Sequence, residues 1–96
     1  MGIKSKFTEQ LEVGASKPIK IEDTTDIKIS YACIVTGTVT YSVQHSLDGI
    51  NFIDNTDVLN ATTTQDGNYI FPVQSIRVNV TAGAGSVKMH VRQLVV

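Results

Sequence analysis

The chain has 96 residues, 42% hydrophobic and 18% charged, with a net charge of −1. This is one domain's length of chain, 1–96, with a modest core, and its near-neutral balance lacks the basic excess of a nucleic-acid binder. Cys33 is the only cysteine, which excludes an internal disulfide, and no long apolar stretch suggests a signal peptide or a membrane span.

Strand-forming Ile, Val, Thr and Tyr alternate with polar residues along most of the chain. Residues 1–14 read as an extended N-terminal arm carrying Ile3, Phe7, Leu11 and Val13, with a single helical turn near Thr8–Leu11 as the alternative. Pro18 opens a short strand through Ile19, Ile21 and Glu22, and Pro at a strand start suits a sheet edge. Asp23–Asp26 reads as a turn. The next strand puts Ile27, Ile29, Tyr31, Cys33 and Val35 on one face, and Ala32 and Ile34 on the other suggest a middle buried on both sides.

After Gly37, Val39, Tyr41, Val43 and His45 alternate with Thr38, Thr40, Ser42 and Gln44. Asp48-Gly49 marks a hairpin connection within 46–52, because Asp-Gly tolerates positive φ. A polar loop around Val58-Leu59 follows, and Asp66-Gly67 predicts a turn into a strand at 68–72. Ala82-Gly83-Ala84-Gly85 then predicts a terminal hairpin. Folding there sets Val80 against Val87, Val78 against Met89 and Ile76 against Val91, while Asn79, Arg77 and Ser75 meet Lys88, His90 and Arg92.

About seven or eight strands with turns at short intervals predict an all-β, antiparallel β-sandwich, jelly-roll or Ig-like. The expected core is Ile29, Tyr31, Val39, Tyr41, Val43, Phe52, Phe71, Ile76, Val78, Val80, Val87, Met89 and Val91, with Cys33 a small buried hydrophobe. Charge is distributed unevenly. Asp48, Asp54, Asp57 and Asp66 are the only charged residues between Lys28 and Arg77, and none after Asp66 is acidic. The sequence therefore predicts an acidic end and a basic row of Arg77, Lys88, His90 and Arg92 on the wet face of the last hairpin.

Signals of catalysis are weak. His45 reads as a satisfied strand-end histidine and His90 as a member of the basic row. Metal-binding spacings of His and Cys are missing. Asp48, Asn51, Asp54, Asn55 and Asp57 offer oxygen ligands, but Asp and Asn are ordinary turn residues and the spacing does not match a calcium loop. No cofactor is expected, the basic row carries no aromatic for stacking on bases, and every aromatic fits the core, which leaves little for a sugar to stack on. What remains for function is surface. The candidate contact residues are Ile3, Phe7, Leu11, Arg77, Lys88, His90, Arg92 and the apolar tail Leu94-Val95-Val96, packed into a neighbouring subunit or folded back on their own sheet.

The segment Tyr41–Phe52, with its Ser46-Leu47-Asp48-Gly49-Ile50-Asn51-Phe52 connection, is similar to an element of small virion proteins of tailed bacteriophages. Ile76–Val87 resembles the terminal hairpin that often follows it there, with the Asp66–Phe71 strand between the two. The likeness covers about residues 27–93. It implies a non-enzymatic β-sandwich docked in many copies on a virion after assembly in the host cytoplasm. In its most concrete form this is a capsid decoration or cementing protein that binds the major capsid protein and itself. The alternative is a tail or fibre accessory module that binds host-surface glycan or another tail protein. Neither nucleic acid nor membrane is an expected partner, and the resemblance brings no catalytic residues.

Overall fold

The computed structural model describes residues 2–22 and 28–95, with only the main chain described for Leu94 and Val95. The turn expected at 23–26, Ile27 and Val96 lie outside the described residues. The described residues form nine strands: β1 (Gly2–Gln10), β2 (Gly14–Ala15), β3 (Ile19–Lys20), β4 (Ile29–Thr36), β5 (Val39–Ser46), β6 (Ile53–Asp54), β7 (Gln65–Tyr69), β8 (Ser75–Gly83) and β9 (Ser86–Val95). Of these, β4, β5, β8 and β9 show period-two apolar alternation. All pairings are antiparallel. One sheet has the order β1-β9-β4-β7. The other has β2-β8-β5-β6, with β3 also on β8. The two sheets form the expected sandwich.

Inward residues of both sheets make the core. Ile29, Tyr31, Cys33, Val39, Tyr41, Val43, Ile76, Val78, Val80, Val87, Met89 and Val91 are all buried, and each large side chain so removed from water contributes about 1.5–3 kcal/mol. Two expected core residues are not buried: Phe52 is half-buried and Phe71 exposed. Five residues outside the expected core take part in it: Ile19, Ile21, Val58, Tyr69 and Val73. Val58 enters because segment 53–61 follows the edge of β5 as an interrupted strand. Asn55 N–H donates to the Val43 carbonyl (2.8 Å), Val43 N–H to that of Val58 (3.0 Å), and Tyr41 N–H to that of Ala61 (2.9 Å).

The predicted terminal hairpin does not form. β8 and β9 lie in opposite sheets, so residues 83–86 are an arch from one sheet to the other. The apolar matches survive as a matter of burial, because Ile76, Val78 and Val80 face the same core as Val87, Met89 and Val91. The polar matches separate onto opposite outer surfaces. β4 and β5 are joined by a second arch at Gly37 (φ 78°), which stacks on the first. A Cβ on Gly37 would stand 3.2 Å from the Gly85 Cα, and Gly85 N–H donates to the Thr38 carbonyl at 2.8 Å.

Two smaller expectations also change. Asp66-Gly67 lies within β7, opposite Ala32 and Tyr31 of β4. Glycine is needed there because a Cβ would sit 2.8 Å from Tyr31 Cζ, so the buried tyrosine ring occupies the space a side chain would take. The outer face of β4 is not buried, since Ile34 is exposed and Ala32 only half-buried. By contrast, the Asp48-Gly49 connection is the hairpin expected, pairing β5 with β6 through Gln44–Asp54 and His45–Ile53.

Candidate interaction surfaces

The extended N-terminal segment is a full edge strand. β1 pairs with β9 from Gly2–Val95 to Gln10–Val87, so the segment folds back on the chain's own sheet. Directly opposed residues share a face. Phe7 beside His90, and Ser5 beside Arg92, therefore lie on the outer surface of the β1-β9-β4-β7 sheet. Phe7 and Ile3 are 63% and 59% exposed. The Lys88 ammonium stands 4.6 Å over the Phe7 ring, and the His90 ring lies 6.1 Å from it, centroid to centroid. Such exposed cation–π contact contributes about 0.5–1 kcal/mol and fixes the ring without covering it. Leu11 follows β1 and is exposed.

Across β4 the same face becomes a depression of about 390 Å³, lined by Ser30, Ala32, Asp66, Asn68, His90 and Arg92 among others. It forms because small residues on β4 lie between longer ones on β9 and β7. Its lining includes the ionisable Asp66, His90 and Arg92, and no group of His, Cys, Asp or Glu able to hold a metal occurs among the described residues.

The structure thus brings together Ile3, Phe7, Lys88, His90 and Arg92. It does not bring Arg77 to them. Arg77 lies on the outer face of the other sheet, where Nε donates to Gln44 Oε1 (2.8 Å) and the guanidinium covers the Phe52 ring at 3.9 Å. Gln44 Nε2 in turn donates to Asp54 (2.9 Å). The predicted basic row is therefore split between two surfaces, because the hairpin that would have aligned it is an arch. Leu94 pairs with Ile3 and Val95 with Gly2 through the main chain; their side chains and Val96 lie outside the described residues.

The acidic candidates are turn-builders. Asp48 Oδ1 accepts the Ile50 and Asn51 amides, both at 2.8 Å, and Oδ2 accepts Asn51 Nδ2. These bonds, backbone first, hold the Asp48 carboxyl well below the usual carboxylate range. Asn55 caps Asp57 N–H (2.9 Å) and donates to the Tyr31 hydroxyl (3.3 Å). Of the residues of the expected acidic end, Asp48 lies on the β5–β6 loop and Asp66 on the outer face of β7, while Asp57 and Asp66 both act on the Tyr31 hydroxyl.

His45 is the satisfied histidine anticipated. Its Nδ1 is 3.0 Å from the Tyr69 hydroxyl, and edge-on contacts to Tyr69 and Phe71 close the end of the core. Burial pushes the Tyr31 phenol up to about 12, and raises those of Tyr41 and Tyr69 as well.

Sequence reasoning missed a second apolar region. Ile50 is 81% exposed, Ile70 75% and Leu47 68%. The 46–52 and 70–74 loops meet at one end of the sandwich, where Gln74 N–H donates to the Ser46 carbonyl (2.8 Å). The available signal was isoleucine directly after Asp48-Gly49, since a turn tip has no core to fill.

No family model and no curated protein sequence matches the chain. Among solved structures it is similar to a protein of Bacillus endospore appendages, described as a novel family of disulfide-linked pili. The identity is 14% and the TM-score 0.45, with 99% of this chain and 88% of that chain covered.

Proposed function

We propose that this protein is a structural component of a phage virion, a capsid decoration or cementing protein that docks in many copies on the major capsid protein and does no chemistry. The observation that carries the reading is the placement of large apolar residues in water at the loop end, Leu47, Ile50 and Ile70. Large apolar residues gathered in water on two loops that meet suit a contact with another macromolecule. The likeness of 41–52 and 66–71 to small virion proteins supplies the kind of partner; that of 76–87 was to a terminal hairpin, which here is an arch. A rigid sandwich presenting short apolar loops suits repeated docking, in which weak single contacts sum to durable attachment through multivalency.

The test is co-sedimentation of the purified protein with undecorated capsids. Binding is expected, reduced at least tenfold by the double variant Ile50→Asp, Ile70→Asp. Protein that stays in the supernatant at saturating concentration removes the proposal.

A further inference from the structure

The sandwich has four lateral edges, and three of them are blunted. On the β8 side, β2 and β3 have two residues each, separated by Pro18. β6 also has two residues, and β7 has five with Gly67 at its centre. β1 is different: nine continuous residues with no proline, paired on one side to β9 and at the end of its sheet order. A long regular edge presents unpaired main-chain donors and acceptors to any strand that can align with it. Inward-pointing lysines protect such edges in many proteins. β1 carries two on that face, Lys4 opposite Gln93 and Lys6 opposite Val91, and Lys6 is turned under the rim. Its ammonium is 2.9 Å from the Glu22 carboxylate and donates to the Lys20 carbonyl at 2.9 Å.

We infer that β1 is a self-association edge, pairing antiparallel with β1 of a second copy of the chain across a twofold axis centred on Phe7. The sequence of the strand selects this register. An axis perpendicular to the sheet keeps the outer faces of both copies on one side, as isologous pairing requires. Centring on Phe7 sets Phe7 against Phe7 of the second copy, Ile3 against Leu11, Ser5 against Glu9, Lys4 against Gln10 and Lys6 against Thr8. Apolar residues then meet on the outer face, and no like charges oppose each other. Centring on Lys6 would oppose two lysines and put Ile3 against Glu9. Centring on Ser5 would oppose Lys4 and Lys6. Centring on Thr8 would put Phe7 against Glu9. Cross-strand pairs of aromatic and aliphatic residues stabilise a sheet, and opposed like charges destabilise it. The product is an eight-stranded sheet running through both copies, by strand addition at an exposed edge.

This contact deepens the structural role proposed above, yet its test is separate from capsid binding. Cys33 is fully buried and its thiol is pushed up to about 12 by burial, so an introduced cysteine is the reactive one. In Phe7→Cys, mild oxidation of the folded protein should give a disulfide-linked dimer, whereas Ile34→Cys on the outer face of β4 should stay monomeric. Sedimentation equilibrium of the wild-type chain should show a concentration-dependent monomer–dimer balance, and Phe7→Lys should shift it at least tenfold toward monomer with an unchanged circular-dichroism spectrum. A wild-type chain that is monomeric throughout, equal cross-linking at positions 7 and 34, or growth into open oligomers would overturn the inference. A monomeric chain that still sediments with capsids leaves the proposed function standing and this contact refuted; a dimer that ignores capsids does the reverse.

Discussion

Replacing Gly85 with alanine separates an arch from a hairpin. In a hairpin loop of 82–85 the added methyl would point into solvent and cost little. In the structure a Cβ on Gly85 meets main chain on all sides: the Thr36 carbonyl oxygen, and the Thr38 nitrogen and oxygen, the latter two at 2.9 Å. No side-chain rotation relieves such contacts, so the two arches must part. Overpacking of this kind costs about 1–3 kcal/mol, and loss of the Gly85 N–H bond to Thr38 adds about 1 kcal/mol. The expected total is about 2–4 kcal/mol, or a fall in Tm of roughly 10–20 °C for a domain of this length. Urea and thermal denaturation followed by circular dichroism measure it, with Ala84→Ser as the exposed control, expected within about 0.5 kcal/mol of wild type. If Gly85→Ala matches that control, the arches are not stacked and the assignment of β8 and β9 to opposite sheets is wrong.

Other expectations follow from the buried hydroxyls and the Asp48 turn. Tyr41 donates to the Thr63 carbonyl at 2.7 Å, so Tyr41→Phe should cost about 1–2 kcal/mol in urea denaturation by leaving that acceptor unpaired. Tyr31 holds its proton to about 12 in the folded chain, and Tyr41 and Tyr69 are also raised, against about 10 unfolded. Their contribution to stability is complete below pH 10 and is lost as pH rises toward the folded values; tyrosinate absorbance should therefore rise together with loss of the circular-dichroism signal. Asp48 shifts the opposite way, from 3.8 downward. Its contribution is present above pH 4 and disappears as pH falls through the lower folded value, and Asp48→Ala should speed hydrogen exchange at the Ile50 and Asn51 amides at neutral pH.

Alternation in the sequence identifies which residues face the core, and here it did so for Val78, Val80, Val87 and Met89 without error. It carries no information about whether two consecutive strands lie side by side or face each other, because both arrangements put the same residues inward. What decides is the connection. Gly83 has φ 97°, and a Cβ there would lie 2.8 Å from Val39 Cα, a contact with a residue forty-four positions earlier that local pattern cannot reveal. Tyr31 and Gly67 were hidden for a related reason. Asp-Gly is a turn signal by composition, yet at this position glycine makes room for a ring arriving from β4. Phe71 was misplaced because the chain leaves β7 at Tyr69 to cross between sheets, so its ring packs on the rim against His45 rather than between the layers.

The same ambiguity governs the candidate contact surface. A side-by-side hairpin would have made Arg77, Lys88, His90 and Arg92 one basic stripe, suited to electrostatic docking on an acidic partner. As facing strands, they belong to two surfaces with different chemistry. Arg77 is held by Gln44 and Phe52, a packed cation that steadies the β8-β5-β6 face. Lys88 and His90 instead surround Phe7, at the border of an open strand edge. The positive charge on that face thus frames an apolar anchor, and steering by charge becomes secondary to burial of Phe7. It follows that added salt should weaken a β1-mediated contact only slightly, whereas Phe7→Lys should weaken it at least tenfold, and measuring both on the same protein separates the two physical origins of binding.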